Sequence, residues 1–312
     1  MLLFDIKELI IVMPELVLLV SALLILISGA CRNGEFMGSH LRLAILFLIA
    51  TGATILVANF DKGEVFSGML IVNPFTSMVK LLVVIGTILA LILSMGFYRI
   101  HSKYGVVEYP VMMMLAACGM MFMISANDLL SLYMAVELQS LALYVLASIH
   151  RDNIKSSEAG MKYFVLGAFS SGLLLYGCSL IYGFTGTTNF RLLAELYTVN
   201  HAMSVGTLIG FIFVVIGLCF KISAAPFHMW TPDVYEGSPM PVTAFFAIAP
   251  KIAGVALLVR FALGPFADVV NDWRQIIMFI SILSMVVGAL GALKQVNIKR
   301  LSGMRCNALY NR

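Results

Sequence analysis

Stretches of about twenty apolar residues recur along this whole chain, the length a helix needs to cross the hydrocarbon core of a bilayer. Nine windows meet that requirement, at roughly 9–29, 41–59, 76–97, 107–126, 128–149, 160–184, 204–229, 241–263 and 275–293. The connections between them, such as CRNGEF, FYRIHSKYG and HRDNIKSSE, are short and polar, and none is long enough to hold a soluble domain. Hydrocarbon supplies no hydrogen-bond partners for the backbone, so segments of this kind cross as helices. The expected fold class is an all-α polytopic membrane protein of about nine transmembrane helices, forming one unit over residues 1–312. Composition agrees, with 61% apolar and 12% charged residues, where a soluble domain carries about 25% charged residues.

The basic residues set the expected topology, because loops rich in Lys and Arg stay on the cytoplasmic side. Arg32 and Arg42 follow the first span, Arg99 and Lys103 the third, Arg151, Lys155 and Lys162 the fifth, and Lys294, Lys299 and Arg300 the ninth. The alternate loops hold only Lys62, Arg191 and Arg274. This asymmetry places the N-terminus outside. The first span is too long for the apolar region of a signal peptide and lacks a small-residue cleavage site. A net charge of +4, dispersed along the chain, gives no nucleic-acid surface.

Chemistry-bearing motifs are few. Cys31, Cys118, Cys178, Cys219 and Cys306 show no metal-ligand spacing and read as small buried hydrophobes. No phosphate-binding loop, dinucleotide fingerprint or Ser/His/Asp arrangement occurs in a plausible context, and the chain offers no obvious site for a redox cofactor. Met112 to Met114, with Met120, Met121 and Met123, read as a soft packing surface. The small residues of the sixth span, LGAFSSGLLLYG, suit close helix contact in lipid.

What hydropathy does not explain is charge inside the spans. Each such group costs of order 2.5 to 3.5 kcal/mol even on the lenient insertion scale. Glu137 lies mid-way along the fifth span, Lys221 late in the seventh, Lys251 in the eighth and Lys80 near the start of the third. His228 follows Lys221 by seven residues, and Pro226, Pro232, Pro239 and Pro241 break up the helical pattern around it. A broken helix at membrane depth implies a hydrated cavity and often marks an ion pathway. Glu137 and Lys221 are the expected pair, each lowering the cost of the other's charge. If the carboxylate moves away, the lysine releases a proton, so Glu137, Lys221, Lys251 and His228 form a candidate proton wire. The plainer alternative is a static ion pair that fixes helix packing. Lys80 is expected to snorkel to the interface, Glu15 to be interfacial, and Asp233 and Glu236 to line the mouth of the broken span or cap a helix.

The stretch KISAAPFHMWTPDVYEGSPMPVTAF, Lys221 to Phe245, resembles the antiporter-like proton-channel subunits shared by bacterial NADH-quinone oxidoreductase (respiratory complex I) and multisubunit cation/proton antiporters. The agreement extends over roughly residues 10–300, through PELVLL, ANDLLSLYMAVELQSLALYVL and ALKQVNIKRL, and is closer to the quinone-oxidoreductase branch. The resemblance places the family's fifth-helix glutamate on Glu137, the lysine of its broken seventh helix on Lys221 and its eighth-helix lysine on Lys251, with His228 in the hydrated region.

It also implies an inverted-repeat fold: N-terminal helices in 1–105, a first half-channel of five helices in 106–264, and the start of a second bundle in 265–300. The implied activity is that of a translocase subunit whose partners are the other membrane subunits, above all neighbouring antiporter-like ones. NADH, FMN, iron-sulfur clusters and quinone belong to those other subunits, with no cofactor on this chain. The implied location is a bacterial inner (plasma) membrane, with the mitochondrial inner membrane as the alternative. An antiporter subunit or a nonfunctional truncated product are the competing readings. After NIKRL the family continues into further helices with another key lysine, whereas this chain ends SGMRCNALYNR; residues 301–312 read as a non-matching tail and the chain as a C-terminally shortened member.

Overall fold

The computed structural model describes residues 6–31, 37–58, 63–100, 106–200 and 202–309. Arg32, Lys62 and Lys103, which carry part of the topology argument, lie outside the described residues, as does the side chain of Cys306. The elements are α1 (Ile6–Ile11), α2 (Met13–Cys31), α3 (Met37–Ala58), β1 (Gly63–Val65), β2 (Leu70–Val72), α4 (Pro74–Ile100), α5 (Glu108–Ser125), α6 (Leu129–Ala147), α7 (Ile154–Thr185), α8 (Phe190–Asn200), α9 (Val205–Ile222), α10 (Thr231–Gly237), α11 (Met240–Leu263), α12 (Val270–Leu293) and α13 (Ile298–Leu309). Among the described residues, nine helices are long and apolar enough to cross a membrane, corresponding to α2 to α7, α9, α11 and α12. They coincide with the nine windows read from the sequence.

The departures have local causes. Helix α7 begins at Ile154 rather than near 160, because Asn153 caps it by accepting a hydrogen bond from the Lys155 N–H at 3.0 Å. It ends where Gly186 turns left-handed at φ 75°. Its 32 residues give a rod of about 48 Å, so its first turns stand beyond the hydrocarbon. The all-α class holds, with one small antiparallel hairpin added to it, in which Glu64 pairs with Ile71. Strands of three residues are too short to show a period of two. Asn127 fastens the hairpin to the α5–α6 corner, donating its N–H to Met69 O at 2.9 Å and its side-chain amide to Gly68 O at 3.0 Å. The hairpin, the α5–α6 corner and the end of α7 thus share one face. On the opposite face α13 packs against α10 and α12, so residues 301–309, read above as part of a tail, are helical.

Close packing of α7 on α9 fixes the helix that carries Lys221. A Cβ added at Gly177 would lie 2.7 Å from both Gly210 O and Val214 N, and one at Gly217 would lie 2.6 Å from Leu174 Cβ. Small residues let backbones approach this closely in lipid. Gly119 plays the same part between α5 and α6, where a Cβ would meet Gln139 N at 2.6 Å. The methionines Met113, Met114, Met120, Met121 and Met123 are buried in the core, as expected. Cys118, Cys178 and Cys219 are buried too, but Cys31 is exposed at the last residue of α2, correcting the reading of all five as buried.

A Gly177→Val substitution tests the α7–α9 contact, since its new methyl groups meet backbone atoms that cannot rotate away. Overpacking of this kind costs about 1 to 3 kcal/mol. The expected outcome is a lower midpoint of thermal unfolding in detergent, with Gly172→Val, which points into open space, leaving it nearly unchanged.

Candidate functional site

Helix α9 runs unbroken only to Ile222, where Ser223 takes the left-handed conformation at φ 61° and its N–H bonds back to Cys219 O and Phe220 O. The span read as 204–229 therefore ends seven residues early. Its break is a helix cap set three residues before Pro226 rather than a kink at the proline itself. The chain from Ser223 to Trp230 is non-helical, and protein groups satisfy part of its backbone. Ser284 of α12 accepts from the Ala225 N–H at 2.8 Å, and the Trp230 indole donates to Phe220 O at 3.0 Å. Irregular backbone at membrane depth survives only with such partners or with water.

Lys221 sits one residue before the end of α9 and is buried. Its ammonium donates to Ser140 Oγ at 2.6 Å, and the Ser140 hydroxyl in turn donates to Val136 O. The ammonium also lies 5.7 Å from the ring centroids of Tyr144 and Phe220, within cation–π range. Glu137, Ser140 and Tyr144 fall at helical spacings of three and four on α6 and so share the face that meets Lys221. The expected direct ion pair is corrected: among the described residues Glu137 and Lys221 make none within 4.0 Å. The serine hydroxyl, one turn beyond the carboxylate, receives the lysine instead. Glu137 Oε1, Tyr144 OH and Ser171 Oγ are buried without a hydrogen-bond partner from the protein. Such atoms are rare unless a water or ion serves them.

Lys251 is fully buried at 0% exposure in α11 and lies 5.7 Å from the ring centroid of Tyr235, on α10. One turn further along α11, a Cβ at Gly254 would sit 2.7 Å from Ile222 Cγ2 and 4.0 Å from Lys221 Cβ. The two lysine-bearing helices thus cross beside both lysines. His228 stands apart, partly exposed in the non-helical segment and outside every spanning helix. The structure brings Glu137, Lys221 and Lys251 to one inter-helical region and leaves His228 in the non-helical segment that follows α9.

Asp233 and Glu236 belong to α10, where they line a cleft of about 210 Å³ with Lys155, Lys162 and Arg300 and are tied to its neighbours. Lys162 of α7 meets Asp233 at 2.8 Å, Lys155 meets Glu236 at 3.3 Å, and Arg300 of α13 reaches Asp233 at 3.2 Å and also Glu236. Arg300 first, and Lys155 after it, hold the Glu236 carboxyl below its ordinary range. These bonds clamp the short helix that carries Tyr235 over Lys251.

Two charges read as isolated are brought together. Lys80 and Glu15 do not stand alone at the surface: they form an ion pair at 2.5 Å with side-chain exposures of 3% and 2%. The Cys118 thiol donates to Glu15 O at 3.9 Å beside them. The signal available in sequence was complementarity, an acid and a base each stranded in an apolar span. Reading each against the interface alone hid it. Ser140 and Tyr144 were also missed, although their spacing from Glu137 places them on its stripe.

The fold and this region define a polytopic helical membrane protein with ionisable side chains buried between its spans. The family model described as NADH:quinone oxidoreductase/Mrp antiporter, TM, matches residues 126–303, and the chain belongs to that family. It is 50% identical over 289 residues to NADH-quinone oxidoreductase subunit N 1 of Rhizobium meliloti (strain 1021), covering 93% of this chain and 60% of that protein. To NADH-quinone oxidoreductase subunit N of Paramagnetospirillum magneticum it is 48% identical over 301 residues, covering 94% and 61%. A chain of respiratory complex I from Thermus thermophilus with bound aureothin superposes with a TM-score of 0.79 at 30% identity, over 96% of this chain and 62% of that one. A chain of the Mrp complex from Dietzia sp. DQ12-45-1b reaches 0.78 at 20% identity, over 99% and 58%, a likeness of fold alone. The chain spans about 60% of the length of the curated relatives it matches.

The buried Glu15–Lys80 pair makes a sharp energetic prediction. Removing one partner strands the other charge in an apolar setting, at a cost of about 3 to 5 kcal/mol, whereas replacing both by apolar groups of similar shape is often close to neutral. Lys80→Met alone should lower the thermal unfolding midpoint in detergent strongly. Lys80→Met with Glu15→Leu should restore most of the loss, and a double variant as unstable as the two singles combined would refute the pairing.

Proposed function

We propose that the chain is a membrane subunit of a proton-translocating NADH-quinone oxidoreductase, an enzyme in which this chain moves protons and carries no redox chemistry. The observation that carries the reading is Lys221, buried at the end of a broken transmembrane helix and hydrogen-bonded to Ser140 on the stripe that also bears Glu137. The names of relatives about half identical over nearly the whole chain support the quinone-oxidoreductase branch, and the family model alone spans both branches.

In this reading Lys221 is the proton-carrying group and Ser140 its relay partner. The serine oxygen accepts from the ammonium while its own hydrogen points to Val136 O, so rotation of one hydroxyl opens or closes the link toward Glu137. Buried polar atoms without protein partners, such as Glu137 Oε1 and Tyr144 OH, are suited to hold the waters that join them. Lys251 continues the line across the α9–α11 crossing, and His228 serves at the hydrated edge. Electrons pass from NADH to quinone through FMN and iron-sulfur clusters on partner subunits. Those subunits supply the driving energy, because moving one charge against 100 mV costs about 2.3 kcal/mol. Residues 106–264 form the first half-channel, 1–105 the preceding helices and 265–300 the start of a second bundle. The membrane is a bacterial inner membrane with the N-terminus outside.

The test uses the chain in the assembled complex. Lys221→Ala should lower NADH-driven proton pumping by about tenfold or more while assembly persists, the scale expected when a positioned proton-transfer group is lost. Glu137→Gln should act in the same direction. Unchanged pumping with normal assembly would reject the role of Lys221.

A further inference from the structure

On the face that carries the hairpin, a cleft of about 440 Å³ opens between the start of α4, the end of α11 and α8. It lies away from Lys221 and Lys251, and its chemistry is independent of the proton-relay reading. Its floor is Arg260, in the last turn of α11. The guanidinium donates to Ile124 O, one of the terminal carbonyls of α5, and to Asn127 Oδ1 at 3.3 Å. These contacts use two of its five N–H donors. Among the described residues no carboxylate lies within 4.0 Å of it, so its positive charge is answered only by neutral acceptors. A cation held this way, partly buried and pinned in place, is a ready partner for an anion.

Arg191 of α8 stands at the rim, two-thirds exposed, where it meets Glu195 at 3.2 Å and Glu64 at 4.0 Å. Its charge is therefore partly answered, and Arg260 is the stronger attractor of the two. Apart from Asn73 and Asn127, the remaining walls carry no polar side chain. Phe75, Val259 and Leu263 line the cleft and stay exposed where α4 and α11 enter the membrane. A soluble anion would gain from Arg260 and nothing from these three apolar side chains. An amphiphile gains from both, its headgroup on the arginine and its acyl chains along the helix ends. The volume admits a headgroup and glycerol rather than a whole lipid, as that arrangement requires.

From this juxtaposition we propose that the cleft between α4, α8 and α11 binds an anionic phospholipid, its phosphate on Arg260 with Arg191 at the rim and its chains against Phe75, Val259 and Leu263. The site places a lipid against the end of α11, the helix that carries Lys251.

The experiment is native mass spectrometry of the chain extracted from membranes in mild detergent and reconstituted with defined lipids. With equal phosphatidylglycerol and phosphatidylethanolamine, one phosphatidylglycerol should stay bound per chain in clear excess over phosphatidylethanolamine. Millimolar inorganic phosphate should not displace it. Arg260→Gln should reduce the retained lipid by about tenfold, the loss expected for a charge-assisted contact. Because Arg260 also braces the end of α5, Arg191→Gln serves as a second variant. That exposed position leaves the fold intact, and its retention should fall by a smaller factor at unchanged thermal midpoint. Equal retention of the two lipids, no retention, full retention by both arginine variants, or displacement by phosphate would each overturn the proposal, the last by showing that the site takes a free anion.

Discussion

An ammonium or a carboxylate placed between membrane helices is penalised on the order of 2.5 to 3.5 kcal/mol even by the lenient measure of helix insertion. The arrangement of this protein depends on how each such group is answered. Lys80 is answered by a carboxylate at 2.5 Å, Lys221 by a serine hydroxyl at 2.6 Å and two aromatic rings, and Arg260 by a helix-end carbonyl and an amide. These are three different grades of compensation. The first neutralises the charge, leaving only Glu15 Oε2 without a protein hydrogen bond, and suits a fixed structural tie. The second leaves the charge stabilised but not neutralised, which suits the proposed proton-carrying role. The third leaves a net positive charge facing an opening.

The packing of the bundle serves the second of these. Glycines at 177, 210 and 217 bring α7 and α9 into backbone contact and thereby fix Lys221 in depth and azimuth. Gly254 does the same where α11 crosses α9 beside it. The break after Ile222 frees backbone groups that Trp230 and Ser284 take up, so the non-helical segment is held by the protein on both sides. The ion pairs from Lys155, Lys162 and Arg300 then clamp α10, which carries Tyr235 over Lys251. Side chains far from the buried lysines in sequence thus decide where those lysines stand.

Much of this was legible in the sequence. The nine spans follow from apolar length alone, because that is the property the membrane selects, and the structural helices match them closely. Glu137, Lys221 and Lys251 stand out because a charge inside such a span is too costly to be there without a role. What stayed hidden depends on which side chains meet across helices. The pattern of α2 and α4 does not say that Glu15 faces Lys80, and stranded between apolar neighbours each has the look of an interfacial residue. Opposite charges make Glu137 the obvious direct partner of Lys221; the fold instead offers Ser140, one turn along the same stripe. The end of α9 is hard to place because proline is the conspicuous breaker in sequence, while Ser223 in a left-handed cap carries no comparable mark. The three-residue strands fall below the length at which alternation can be seen.

In the proposed relay Glu137 and Lys221 act as one unit although no direct ion pair joins them. A double-mutant cycle on Glu137→Gln and Lys221→Ala, read as protons pumped per electron pair in the assembled complex, measures that most directly, since residues on one network are non-additive and independent ones add. Coupling of the two groups predicts a double variant no more impaired than the worse single variant. Impairments that multiply, as for two independent sites, would contradict it.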